Sequence, residues 1–126
     1  MYHIYKNNVI SINRGDYLET NIELSQGRFP FKEQIEIHEG DTIYFALMHD
    51  HEPFERSILK IEYNTADKDS EGNIIWLNDS GDLVLVIEPE DTIGLFPGVY
   101  YYEIKLLTED SKINTIIPRS KFIIED

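Results

Sequence analysis

Between Gly81 and Ile104 the chain carries four local signals in a row, and together they restrict what the rest can fold into. Leu83-Val84-Leu85-Val86-Ile87 is an unbroken branched aliphatic run, the composition of a buried strand. In Glu88-Pro89-Glu90-Asp91-Thr92, Pro89 suits the first helical position, where its missing N–H costs nothing, and Glu90 and Asp91 favour the positive end of a short helix. Pro97-Gly98 then fits the central positions of a type II turn, since Pro presets the first φ and Gly tolerates a positive second φ. Val99-Tyr100-Tyr101-Tyr102-Glu103-Ile104 resumes as an aromatic strand. A strand, one helical turn, a corner and a second strand leave no space for a long helix.

Elsewhere the period is two, and no window holds a sustained i, i+3, i+4, i+7 apolar stripe. That excludes helical bundles and alternating α/β folds. Val9 to Asn13 reads as a strand ending at the turn Arg14-Gly15-Asp16. In Tyr17 to Leu24, Leu18, Thr20, Ile22 and Leu24 share one face, the signature of a sheet with one side in the core. Gln26 to Pro30 reads as a loop, and Ile35 and Ile37 lead into the turn Glu39-Gly40-Asp41. Thr42 to Met48 is apolar on both faces and predicts a well-covered central strand. The run Phe54 to Tyr63 is expected to pair back on it, followed by the loop Asn64 to Gly72. Ile74-Ile75-Trp76-Leu77, Leu83 to Ile87, Tyr100 to Leu107, and the runs Ile113 to Ile117 and Lys121 to Ile124 complete the strands. Short strands with turn signals every 8 to 12 residues or so predict an all-β sandwich or barrel. In phase, Leu18, Ile22, Phe45, Leu47, Leu83, Leu85, Tyr100, Tyr102 and Ile104 point inward.

At 126 residues the chain suits a single domain. We assign residues 9–126 to it and residues 1–8 to an N-terminal extension. A net charge of -13 disfavours nucleic-acid phosphates and anionic membrane surfaces as partners. The chain has no cysteine, hence no thiol chemistry. Met1 to Lys6 holds no apolar run of signal-peptide length, and no segment approaches the roughly 18 apolar residues of a membrane span.

The corner also predicts a tie. In immunoglobulin-like sandwiches a tyrosine just past such a corner donates its hydroxyl to upstream backbone, and Tyr100 or Tyr102 is placed to do so. The expected fold is therefore an immunoglobulin-like β-sandwich of about seven to nine antiparallel strands. The opening strand with Arg14-Gly15-Asp16, the Gly40-Asp41-Thr42 strand start, and the segments Leu83 to Thr92 and Pro97 to Leu106 resemble small structural proteins of phages and prophages of Gram-positive bacteria. The pattern is similar to the N-terminal immunoglobulin-like domain of the baseplate upper protein family of siphophage tails, over roughly residues 9 to 124. The resemblance implies a non-enzymatic virion component, a tail or baseplate module without a cofactor. Its partners would be other phage structural proteins or further copies of itself. It would reside in the virion, or in the bacterial cytoplasm before assembly. The chain lacks the long coiled or receptor-binding extension expected of a complete baseplate protein.

Four groups of residues bear on chemistry. Asp67 to Ile74 matches the opening of a calcium loop, with oxygen ligands at positions 1, 3 and 5 and glycine at 6, but position 12 is Asn78 instead of a bidentate glutamate. A polar hairpin loop is the better reading. His49-Asp50-His51-Glu52 places two imidazoles in one loop, and His49 and His51 would anchor a metal-dependent enzyme or sensor only with further ligands, since a zinc centre needs three or four. Arg14-Gly15-Asp16 spells an adhesion tripeptide, yet its glycine has a plainer use in a turn. Trp76, Tyr100, Tyr101 and Tyr102 are the material of a carbohydrate platform or of a core, and core packing is the better match for all but Tyr101, which is out of phase with its neighbours. The expected interaction residues are thus Tyr2, Ile4, Tyr5, Val9, Ile10, Trp76 and Tyr101. The reasoning is that Val9 to Asn13 is an unblunted sheet edge, whereas Pro118, Arg119 and Lys121 blunt the final strand.

Overall fold

The structure, a computed structural model, describes residues 2–4, 7–26 and 33–126, with residues 2–4 and 26 described by their backbone alone. The chain is an all-β sandwich. Its strands run β1 (Tyr2–Ile4), β2 (Ile10–Asn13), β3 (Leu18–Ile22), β4 (Ser25–Gln26), β5 (Glu33–Gln34), β6 (Thr42–Met48), β7 (Leu59–Asn64), β8 (Leu83–Ile87), β9 (Gly98–Leu107) and β10 (Ile113–Glu125), with one short helix, α1 (Pro89–Ile93). Six strands make one sheet in the order β1-β2-β10-β9-β6-β7, β3 and β8 form a second, and β4 pairs β5. The ten strands of the described residues exceed the expected number because β1, β4 and β5 are two or three residues long.

Alternation dictates the layers. Ile43, Phe45 and Leu47 of β6 and Tyr102, Ile104 and Leu106 of β9 project from the large sheet onto Leu18 and Ile22 of β3 and Leu83, Leu85 and Ile87 of β8, in one continuous core. All nine residues predicted to point inward are buried there. Phe45 stacks on Tyr102 at 5.6 Å, and Phe122 meets both edge-on.

Four expectations about the strands are corrected. The pairing is not wholly antiparallel, because β2 runs parallel to the end of β10, with Phe122 opposite Ile10 and Glu125 opposite Asn13. Ile113 to Ile117 and Lys121 to Ile124 are one strand, pairing with β9 across two register shifts around Ile117 and Pro118. A proline lacks the ladder donor, and a bulge absorbs it without ending the strand. Ile74 to Leu77 is a turn, closed by the Leu77 N–H on the Ile74 carbonyl, so that Trp76 goes inward while Ile75 stays exposed. Phe54 to Arg56 is a 3₁₀ turn, and pairing with β6 begins only at Leu59.

The corner forms with one difference. The Asp91 carboxylate accepts the Glu88 N–H at 2.8 Å and starts α1 at Pro89. Gly98, however, has φ 155° instead of the roughly +80° of a type II turn, because it already pairs with Ile124 as the first residue of β9. Both candidate tyrosines make ties. The Tyr100 hydroxyl donates to the Phe96 carbonyl at 2.6 Å, and the Tyr102 hydroxyl donates to the Asn8 carbonyl. No helix among the described residues is long and apolar enough to cross a membrane.

Candidate interaction surfaces

The expected edge is not where the sequence puts it. β2 lies between β1 and β10, so Val9 to Asn13 is not a free edge, and Ile10 is fully buried. Residues 2–4 are accordingly part of the sheet and not an extension outside it, with Tyr2 opposite Ile12 and Ile4 opposite Ile10. The side chains of Tyr2 and Ile4, and all of Tyr5, lie outside the described residues. Val9 is half-buried. The apolar character of Val9 to Asn13 reflects burial between two strands, which a single strand's sequence does not distinguish from an open edge.

β10 is likewise no outer edge, since it lies between β2 and β9. Its thirteen residues are unevenly covered. β2 pairs only with Phe122 to Glu125, whereas β9 pairs with β10 from Ile113 onward. Asn8, at φ 68°, sits at the turn that leads into β2, and its carbonyl is taken by Tyr102. The β2-facing side of Ile113 to Ile117 therefore has no strand partner among the described residues. Ile113 is 65% exposed.

Trp76 does not belong to a surface. Its ring lies edge-on to Tyr63, its indole N–H donates to the Asn64 carbonyl at 2.8 Å, and it is buried. A carbohydrate platform on Trp76 is thereby removed, while Tyr101 is half-exposed on the outer face, as its phase predicts. That outer face carries a polar cluster the sequence reading missed. Opposite strands place Lys60, Ala46 and Glu103 in one row and Glu62, Tyr44 and Lys105 in the next. The mostly buried Glu103 carboxylate accepts from Arg119 Nε at 2.9 Å and lies 3.3 Å from Lys105 Nζ. Arg119 Nη2 also lies 2.9 Å from Met48 Sδ, covering that side chain from outside. The one available signal was two-faced apolarity in β6, which requires something to cover Ala46 and Met48.

The loops are occupied by their own hydrogen bonds. Asp69 Oδ1 accepts the N–H groups of Glu71 and Asn73, and Asn78 Oδ1 accepts those of Ser80 and Asp82, all at 2.9 Å. His49 leans on Tyr100 with 5.2 Å between rings, and the exposed His51 has Nε2 3.3 Å from Asp50. Among the described residues no three His, Asp or Glu side chains gather as metal ligands. Arg14-Gly15-Asp16 is a structural turn. The Arg14 guanidinium is 3.0 Å from Asp126, and the Gly15 N–H donates to Thr92 Oγ1 at 2.8 Å. Gly15 has φ 81°, and a Cβ there would come within 2.7 Å of Ile93 Cδ1.

The corner next to that turn presents apolar side chains on a rigid frame. Ile93, Phe96 and Val99 are 57%, 81% and 52% exposed, while the backbone between them is fixed by the Leu95 N–H on Thr92 and by Tyr100 on Phe96. Comparison with protein-family models, curated proteins and solved structures finds no match.

Proposed function

We propose that this chain is a non-enzymatic assembly module, and that its setting is the tail or baseplate of a phage or prophage. The virion setting follows the resemblance of its strand and corner motifs to baseplate upper proteins, whose N-terminal domain is immunoglobulin-like. The observation that carries the assembly reading is the incompletely paired β10. A strand with an unpaired side is a template for another strand, and main-chain hydrogen bonds to such an edge are a recurring basis of assembly. Ile113 to Ile117 offers that edge, and neither lysine nor proline interrupts it. The binding strand comes from a neighbouring virion protein or from a second copy. The exposed Phe96 at the corner gives a second contact of the aromatic kind that anchors interfaces.

Two measurements test this. Mass spectrometry of purified particles from a lysogen encoding the chain is expected to find it among the tail proteins, and its absence from intact tails would overturn the virion setting. Hydrogen exchange is expected to show the 113–117 amides with outward N–H groups poorly protected in the isolated chain and protected in the assembled form. Asn114→Lys, which adds a charge to the edge, should weaken assembly without lowering Tm by more than a degree or two. Unchanged protection on assembly would sink strand addition at this site.

A further inference from the structure

The chain holds 11 basic residues against 24 acidic ones, yet two of its lysines converge on one aromatic ring. Lys60 Nζ and Lys105 Nζ lie 4.7 and 4.8 Å from the centre of Phe54. Lys60 Nζ is also 5.7 Å from the centre of Tyr44, which meets Phe54 edge-on at 6.3 Å. These groups wall a cavity of about 280 Å³ on the outer face of the large sheet, completed by Leu107 and Ile113, with the exposed Glu55 on its rim. The strand pattern builds it: Tyr44 and Lys105 are direct partners on β6 and β9, and the 3₁₀ turn before β7 delivers Phe54.

The charges in this cavity are unevenly compensated. Glu103 is shared between Arg119 and Lys105. Lys60 has no carboxylate within ion-pair distance among the described residues, only the two rings. An aromatic face attracts an ammonium group, but two like charges at one ring repel each other, and an anion between them would relieve that repulsion. The remaining walls are Tyr44, Phe54, Leu107 and Ile113, with the Glu55 carboxylate out on the exposed rim.

We propose that this cavity docks an acidic-apolar segment of a partner polypeptide, with one Glu or Asp carboxylate between Lys60 and Lys105 and an adjacent apolar side chain against Tyr44 and Leu107. Its volume falls at the lower limit of small-molecule sites, about 300 Å³, and suits one or two side chains better than a cofactor. Ile113 stands both on its rim and at the start of the unpaired stretch of β10. A partner that adds a strand to that edge is held beside the cavity. The inference rests on the reading of the chain as an assembly module and not on the virion setting.

The test uses the full chain and two capped tetrapeptides, Leu-Glu-Phe-Glu and Leu-Gln-Phe-Gln, followed by NMR. At millimolar concentration the acidic peptide is expected to shift the Phe54 ring and the Lys60 and Lys105 side-chain signals saturably, and the amide peptide to bind at least about fivefold more weakly. Lys60→Gln should weaken the acidic peptide by a similar factor. Lys121→Gln, which removes the same charge elsewhere on the sheet, should leave its affinity unchanged, and the folded spectrum of each variant is checked first. Equal binding of the two peptides, equal effects of the two substitutions, or no saturable shift would each overturn the pocket. None of these bears on hydrogen exchange at 113–117, so the pocket and strand addition fail separately.

Discussion

The Tyr102 hydroxyl donates to the carbonyl of Asn8, a residue 94 positions earlier, and so fastens the middle of β9 to the turn that leads into β2. The tyrosine is 1% exposed, and its ring packs between Phe45 and Phe122. Tyr102→Phe keeps the packing and removes the donor, leaving the Asn8 carbonyl short of a partner. A loss of about 1 kcal/mol is expected in urea unfolding, with the denaturant slope unchanged. Loss of exchange protection in β1 and β2 ahead of the other strands would locate the effect at this tie.

Alkaline pH should unfold the protein through two tyrosines. Burial pushes the Tyr63 hydroxyl up to about 12 and raises that of Tyr102 further still. Among the described residues the Tyr63 hydroxyl has no hydrogen-bond partner, and the nearby Val86 backbone does not reach it in good geometry. Between about pH 10 and 12 the unfolded chain has released these protons while the folded chain retains them, so the unfolded state binds fewer protons and stability falls as pH rises. Below pH 10 the two groups contribute a constant amount. Urea midpoints from about pH 8 to about pH 12 check the sign, and a flat profile would contradict it.

Leu85 is fully buried in β8, opposite Thr20. Leu85→Ala should leave a cavity between the two sheets and cost about 2 to 5 kcal/mol. A cost below about 0.5 kcal/mol, the level of an exposed site, would mean that β8 is shifted by one residue.

The chain has one tryptophan, which makes it a built-in reporter. With Trp76 at 5% exposure, its fluorescence should be blue-shifted and resistant to iodide quenching in the folded state. Trp76→Phe removes the donor to Asn64 and part of the ring volume, and a loss of about 1 to 3 kcal/mol is expected from thermal or urea unfolding.

EDTA is expected to leave Tm unchanged. Asp69 and Asn78, at the third and twelfth positions of the calcium-like loop, each hold two backbone N–H groups on Oδ1, and stabilisation by a ligand scales with its occupancy. A calcium-specific rise in Tm, followed by differential scanning calorimetry, would show that these turns open to take the ion.

Inward positions were legible because alternation on β3, β6, β8 and β9 is a property of each strand alone. The phase of Leu83 and Leu85, or of Tyr100 and Tyr102, does not depend on which strand lies next to it. Neighbour identity is another matter. Nothing local to Val9-Ile10-Ser11-Ile12-Asn13 says that Tyr2–Ile4 covers one side and Phe122 to Glu125 the other, so a doubly paired strand reads as an open edge. The same holds for Pro118, whose ladder-breaking chemistry suggests the end of a strand, whereas a bulge carries β10 through it along β9. The lysine cavity was hidden for a further reason. Phe54, Lys60, Lys105 and Tyr44 belong to four separate segments, and only the β6-centred register brings them together.

The parallel pairing of Ile10 to Asn13 with Phe122 to Glu125 sets a timetable for the chain's birth. A ribosome releases the first strands long before residues 122–125 exist, so two isoleucines destined for the core, Ile10 and Ile12, wait in water for a partner more than a hundred positions downstream. The sandwich cannot close gradually from its leading end. Completion has to await residues 122–125, and it falls in the slow regime of folds dominated by distant pairings, about milliseconds to seconds. During that interval the nascent chain depends on its abundant negative charge, and on whatever chaperones it meets, to stay apart from its siblings on the same message.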